Sequence, residues 1–153
     1  MAKIVRPTLI VASGAWGTVE FAVLQSGRIP AKVFFDVDCK QIREKGADEA
    51  QATAQARFVN LFQHMANYGP AEMPDKRFKK EMGNLWAFRH EVANIQIRFP
   101  CFRDGNAWIV THGFAKPGAQ KGLGDWPPSE VYRAQSIEAE YRQRKQRPGK
   151  KNQ

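Results

Sequence analysis

The sequence predicts a small α+β domain: an antiparallel sheet with helices packed on one face, and a further helix at the C-terminus. Three observations carry this expectation. A period-two stretch near the N-terminus precedes a long segment with apolar residues spaced at three and four. Three strand-like runs then follow one another with turn signals and no helix between them. The last segment returns to helical spacing before a polar end. Strands grouped together, with helices before and after them, make the α+β pattern.

Each element has its own justification. "GTVEFAVLQ" alternates Val19, Phe21 and Val23 with Thr18, Glu20 and Ala22, which reads as a strand. "SGRIPAKVFFDVD" turns through Gly27, and Pro30 suits the start of a short helix carrying Val33, Phe34 and Val37 inward. "KVFF" suits a strand equally well on propensity. Ala47, Ala50, Ala54, Phe58, Leu61, Phe62 and Met65 form one apolar stripe of a longer helix, stopped by Gly69 and Pro70. "MPDKRFKKEMGN" reads as a charged connection. "LWAFRHE" and "NIQIRFPCF" read as two strands, and "RDGNAWIVTHGF" as a third that opens on the Asp104-Gly105 turn. In "PPSEVYRAQSIEAEYRQR", Pro128 and Ser129 stand where a helix starts, and Val131, Ala134, Ile137 and Tyr141 keep helical spacing.

With 153 residues and 42% hydrophobic residues, one domain with a real core is expected. No apolar run approaches the ~20 residues of a membrane helix. "MAKIVRPTLIVASGAWG" imitates a signal peptide loosely, but Pro7 and Thr8 interrupt it and its apolar part is short. Cys39 and Cys101 have no metal-type spacing and suit a reducing compartment, so a cytoplasmic protein is expected. The net charge of +9 is unevenly placed. Arg142, Arg144, Lys145, Arg147, Lys150 and Lys151 account for six of the 24 basic residues, leaving eighteen against fifteen acidic ones. Residues 142–153 therefore read as a basic, disordered tail, able to attract a polyanion without specificity.

The order of elements, with "VEFAVLQSGRIPAKVFFD", "LWAFRHE" and "IVTHGFAKP", resembles the phage-derived toxin-like branch of the RelE/HigB superfamily. The resemblance runs from about Trp16 to Tyr141, so residues 16–141 are the expected toxin domain and 1–15 an N-terminal extension. It rests on Val19-Glu20-Phe21, Gly27 to Pro30, Leu85 to Arg89, His112-Gly113-Phe114 with Lys116, and Pro128 to Val131. It implies the toxin of a toxin–antitoxin pair: a ribosome-dependent mRNA endonuclease, with mRNA on the ribosome and a small helix-turn-helix antitoxin as partners. It implies no metal, cofactor, membrane or small-molecule substrate. The alternative on the same scaffold is a non-enzymatic toxin of the gyrase-poisoning ParE type, or a phage host-interaction protein. Three departures bear on that choice. Gln96 stands where the family usually has arginine, with Arg98 two residues on. The family's consecutive lysines are reduced to Lys116-Pro117. The loop before the last helix is longer and glycine-rich.

Metal-independent RNA cleavage proceeds by 2′-hydroxyl attack on the adjacent phosphate. It needs a proton acceptor, cations for the charged phosphorane, and a proton for the leaving oxygen. Arginine grips phosphate oxygens with a planar fork and stays charged. Strand alternation sends Trp86 and Phe88, with Ile95, Ile97, Phe99 and Cys101, to the helix side. Arg89, Gln96 and Arg98 then share the other face. His112 is open: it follows Trp108 and Val110 into the core, or in the reversed register joins the arginines. The expected catalytic set is Arg89, Arg98, Lys116 and His112, and the expected RNA-binding set is Lys79, Lys80, Gln96 and Lys121. "DKRFKKE" reads as a basic patch for RNA backbone or simply as a charged linker. "GAQKGLG" lacks the order of a nucleotide-binding loop, and His64, His90 and His112 lack metal-ligand spacing.

Overall fold

The computed structural model describes residues 6–36, 47–92, 95–117 and 126–151. In chain order the elements are β1 (Thr8–Ser13), β2 (Thr18–Ala22), α1 (Pro30–Asp36), α2 (Ala47–Tyr68), β3 (Phe78–Met82), β4 (Leu85–Val92), β5 (Ile95–Asp104), β6 (Ala107–Val110), β7 (Phe114–Pro117) and α3 (Pro128–Lys151). The strands form one seven-stranded sheet in the order β1-β2-β6-β5-β4-β3, with β7 also pairing with β5. Pairing is antiparallel except between β2 and β6. The α+β class is therefore as the sequence indicates, with a mixed, mostly antiparallel sheet.

Pro30 starts α1, so "KVFF" is helical, and Phe34 from it meets Phe99 edge-on at 5.5 Å. The α2 stripe packs Ala54, Phe58, Phe62 and Met65 against Phe88, Ile97, Phe99 and Cys101. Phe58 lies 4.7 Å from the Phe99 ring centroid. The helix stops at Gly69, whose φ of 82° suits glycine and whose N–H bonds the Met65 carbonyl at 2.8 Å. Gly113 is another required glycine, since a Cβ there would stand 2.5 Å from Phe34 and 2.9 Å from Phe99.

As expected, α1 and α2 cover one face, and the C-terminal α3 covers the other through Ala134, Ile137 and Tyr141 on Leu85, Ala87, Phe102 and Ile109. Three features go beyond what the sequence indicates. The segment before Trp16 is not merely an extension, because β1 pairs with β2 at the sheet edge. The charged connection contains β3, where Phe78 is buried and Lys79 and Lys80 are exposed. An edge strand carrying lysines resists pairing with other chains, and a bulge between Lys80 and Met82 hides its period of two. The basic tail continues α3 to Lys151. Glu138–Arg142 and Glu140–Arg144 pair at i,i+4, and Arg144 reaches back to the Val23 carbonyl.

One further detail positions the site. Cys101 to Asp104 of β5 pair with β6, whereas Ile95 to Arg98 pair with β7 on the same edge. The chain leaves the strand path at Thr111 to Gly113 and re-enters as β7. That excursion fixes where His112 goes.

Candidate functional site

The β4–β5 register places Arg89 directly opposite Arg98 and Glu91 opposite Gln96. Cross-strand partners project to the same face, so the two guanidinium groups are neighbours, as alternation indicates. They open on a cleft of about 550 Å³ whose wall includes Arg57, Lys76, Arg77, Lys79, Arg89 and Arg98, with Asp75 and Glu91 its only carboxylates among the described residues. Cations outnumber acids three to one in that lining, so the cleft attracts anions.

Arg98 is 3% exposed. Its Nη2 donates to the Gln96 side-chain oxygen at 2.5 Å and its Nη1 to the Ile97 carbonyl at 3.3 Å. Its buried Nε has no acceptor, and neither has Nε of Arg89, which lies 4.0 Å from the Glu81 carboxylate. Arg89 Nη1 donates to the Asp75 carbonyl at 3.2 Å. Burial, and then the neighbouring Arg89, pull the Arg98 pKa down to about 10. It still carries its charge at neutral pH. Two like charges held together with unsatisfied donors are costly in isolation, and a bound anion removes that cost.

His90 and Arg57 complete the cleft from the α2 side. His90 Nδ1 lies 3.1 Å from the Glu91 carbonyl, and Arg57 Nη1 donates to that same oxygen at 3.1 Å. With Nδ1 as the donor, Nε2 is left as the basic nitrogen. Burial, with Arg77 and Arg57 nearby, lowers the His90 pKa, so its imidazole is neutral at pH 7. Neither residue was an expected site residue. Arg57 sits on α2, well before β4 in the chain, and only the tertiary fold brings it there.

The other expected residues separate. Lys79 and Gln96 line the cleft. Lys116 stands opposite Gln96 in the β5–β7 register. Lys121 lies outside the described residues. Lys80 borders a different cleft at the other end of β4. His112 does not join the arginines. It is fully buried, stacked near Phe114, with Nδ1 2.9 Å from the Thr111 hydroxyl and Nε2 2.9 Å from the Glu130 carboxylate of α3. Burial drives its pKa down to about 3. Neutral and enclosed, it ties α3 to the sheet, and the catalytic role expected of it does not fit this placement. The physical reason is the excursion at Thr111 to Gly113, which breaks the strand alternation on which both register options depended. Among the described residues no group of three or more His, Cys, Asp or Glu is placed to hold a metal ion. No helix among them is long and apolar enough to cross a membrane.

No curated protein and no solved structure matches the chain. A family model does: phage derived protein Gp49-like (DUF891), over residues 46–137. That span holds α2, the strands of the arginine cleft and the first part of α3, and includes "LWAFRHE", "IVTHGFAKP" and Pro128 to Val131. Val19-Glu20-Phe21 lies before it. The match covers more than half of the chain, and the protein belongs to the phage-derived Gp49-like family, a toxin-like family associated with RelE/HigB-type toxins.

Proposed function

We propose that the protein is the toxin of a toxin–antitoxin pair and cuts mRNA on the ribosome, with the scissile phosphate held between Arg89 and Arg98. The observation that carries this reading is the directly paired, partly unsatisfied arginines in a cation-rich cleft. Their planar guanidinium groups suit phosphate oxygens, and preorganised charge of this kind stabilises a phosphorane more than the ground state. Gln96 orients the Arg98 fork, and Lys79 and Lys76 extend the positive wall along the RNA backbone. The 2′-hydroxyl attacks the phosphorus, forming a 2′,3′-cyclic phosphate and releasing the 5′-hydroxyl of the next nucleotide. His90, neutral by burial, suits proton removal from the attacking hydroxyl. Lys116, opposite Gln96 in the β5–β7 register, is the residue assigned to protonate the leaving oxygen. An antitoxin would hold the toxin inactive, and a cytoplasmic site of action follows from the ribosomal substrate.

The test is primer extension on a message under translation with the full chain present. New 5′ ends that require both the protein and translation are expected. A growth arrest with DNA damage and intact message would replace this reading with the non-enzymatic toxin. That second reading draws on Gln96, a neutral residue at the position where the resemblance leads one to expect arginine.

A further inference from the structure

At the other end of β4 the fold builds a second cleft, of about 370 Å³, which the proposed cleavage does not use. Lys80, Asn84, Trp86, Arg103, Trp108 and Arg142 line it, and among the described residues no carboxylate does. Trp86 is half-buried and lies flat on Phe78, with centroids 5.1 Å apart and planes at 14°. Its ring also borders the cleft. Arg103 is exposed, its guanidinium 5.0 Å from the Trp16 centroid and 6.0 Å from that of Trp108. Arg142 stands 4.9 Å over Phe102 and pairs with Glu138. Asn84 gives its amide nitrogen to Glu138, which leaves its side-chain oxygen as an acceptor. Trp108 is 2% exposed, and its buried indole N–H has no acceptor. A native fold seldom leaves such a donor unpaired unless something else supplies the acceptor.

We propose that this cleft is a subsite for one nucleotide of single-stranded RNA, with the base against Trp86 and the phosphate among Lys80, Arg103 and Arg142. Aromatic surface beside cations is the chemistry that holds an unpaired base and its phosphate together. A bare phosphate makes no use of the indole rings, and an acidic peptide has no flat surface to lay on them. The subsite shares only its ligand class with the cleavage reading, since its residues and those of the arginine cleft are disjoint.

The experiment is calorimetric titration of the full chain with AMP, inorganic phosphate, an acidic hexapeptide and a hexa-adenylate. Melting curves check that each variant is folded. The parent should bind AMP at least tenfold tighter than phosphate, and the hexamer tighter than AMP. Lys80→Ala with Arg103→Ala should weaken AMP binding at least tenfold, whereas Arg89→Ala with Arg98→Ala should leave it within twofold. The subsite is overturned if the parent does not bind AMP, or if only the Arg89/Arg98 variant loses it. Phosphate or the peptide binding as well as AMP through Lys80 and Arg103 overturns it too, and a hexamer no tighter than AMP overturns the assignment to an RNA strand. A parent that cleaves no message yet binds AMP through Lys80 and Arg103 leaves the subsite standing and removes the cleavage reading.

Discussion

At the residue scale, Arg98 and His112 show how burial sets opposite roles for charged and neutral groups. Arg98 is buried as a cation beside Arg89, so its charge costs stability in the free protein. Arg98→Met should therefore leave the melting temperature unchanged or raised, while removing ~2–4 kcal/mol of transition-state stabilisation in the cleavage assay. A variant that loses stability and activity together would make Arg98 a structural residue. His112 is buried neutral with a folded pKa of about 3, below the ordinary 6.5. A lowered histidine pKa means that the unfolded chain takes up the proton first, so stability is full above pH 6.5 and falls as the pH drops toward 3. Glu130, raised by burial, acts in the opposite direction in part. A net loss on the order of 2 kcal/mol between pH 6.5 and 4 is expected in urea titrations. The slope should flatten in His112→Gln.

At the element scale, α2 holds the sheet and α3 locks its far side. Phe58→Ala should cost about 3–5 kcal/mol, because the ring is fully buried against Phe62 and Phe99. Chemical denaturation measures it, and a cost below about 1 kcal/mol would mean that the α2–sheet contact is misjudged. Truncation before Gln143 removes the Arg144 bond to the Val23 carbonyl and the Lys145–Asp104 pair. It should lower the melting temperature by a few degrees while keeping the fold, since most of the α3 core contacts come from Ala134, Ile137 and Tyr141. Wherever apolar periodicity spans several turns or a whole strand, the sequence states the element: α2, β4, β5 and the start of α3 are legible. Where tertiary contacts decide, it does not. β1 lacks a charge pattern, β3 is bulged and rich in lysine, and β7 follows an irregular excursion. The end of α3 has the composition of a tail, and besides its own i,i+4 pairs it carries a Lys145–Asp104 pair that only the fold completes.

At the scale of the whole molecule, a single sheet with a core on each face carries two cationic clefts at opposite ends of β4. The arginine pair of the first cleft was legible in the sequence because strand alternation is a local rule and both strands are regular. His90 and Arg57 were not, because the cleft wraps round the end of β4 beyond β3 and draws on α2. The central claim is that this cleft cuts RNA by internal attack of the 2′-hydroxyl. The most direct measurement is the chemistry of the new ends on a message cleaved under translation, with parent and with Arg89→Ala/Arg98→Ala protein. The account predicts a 2′,3′-cyclic phosphate or its 3′-phosphate hydrolysis product opposite a 5′-hydroxyl, with the signal lost in the double variant. A 3′-hydroxyl opposite a 5′-phosphate, or undiminished cleavage by the double variant, would contradict it.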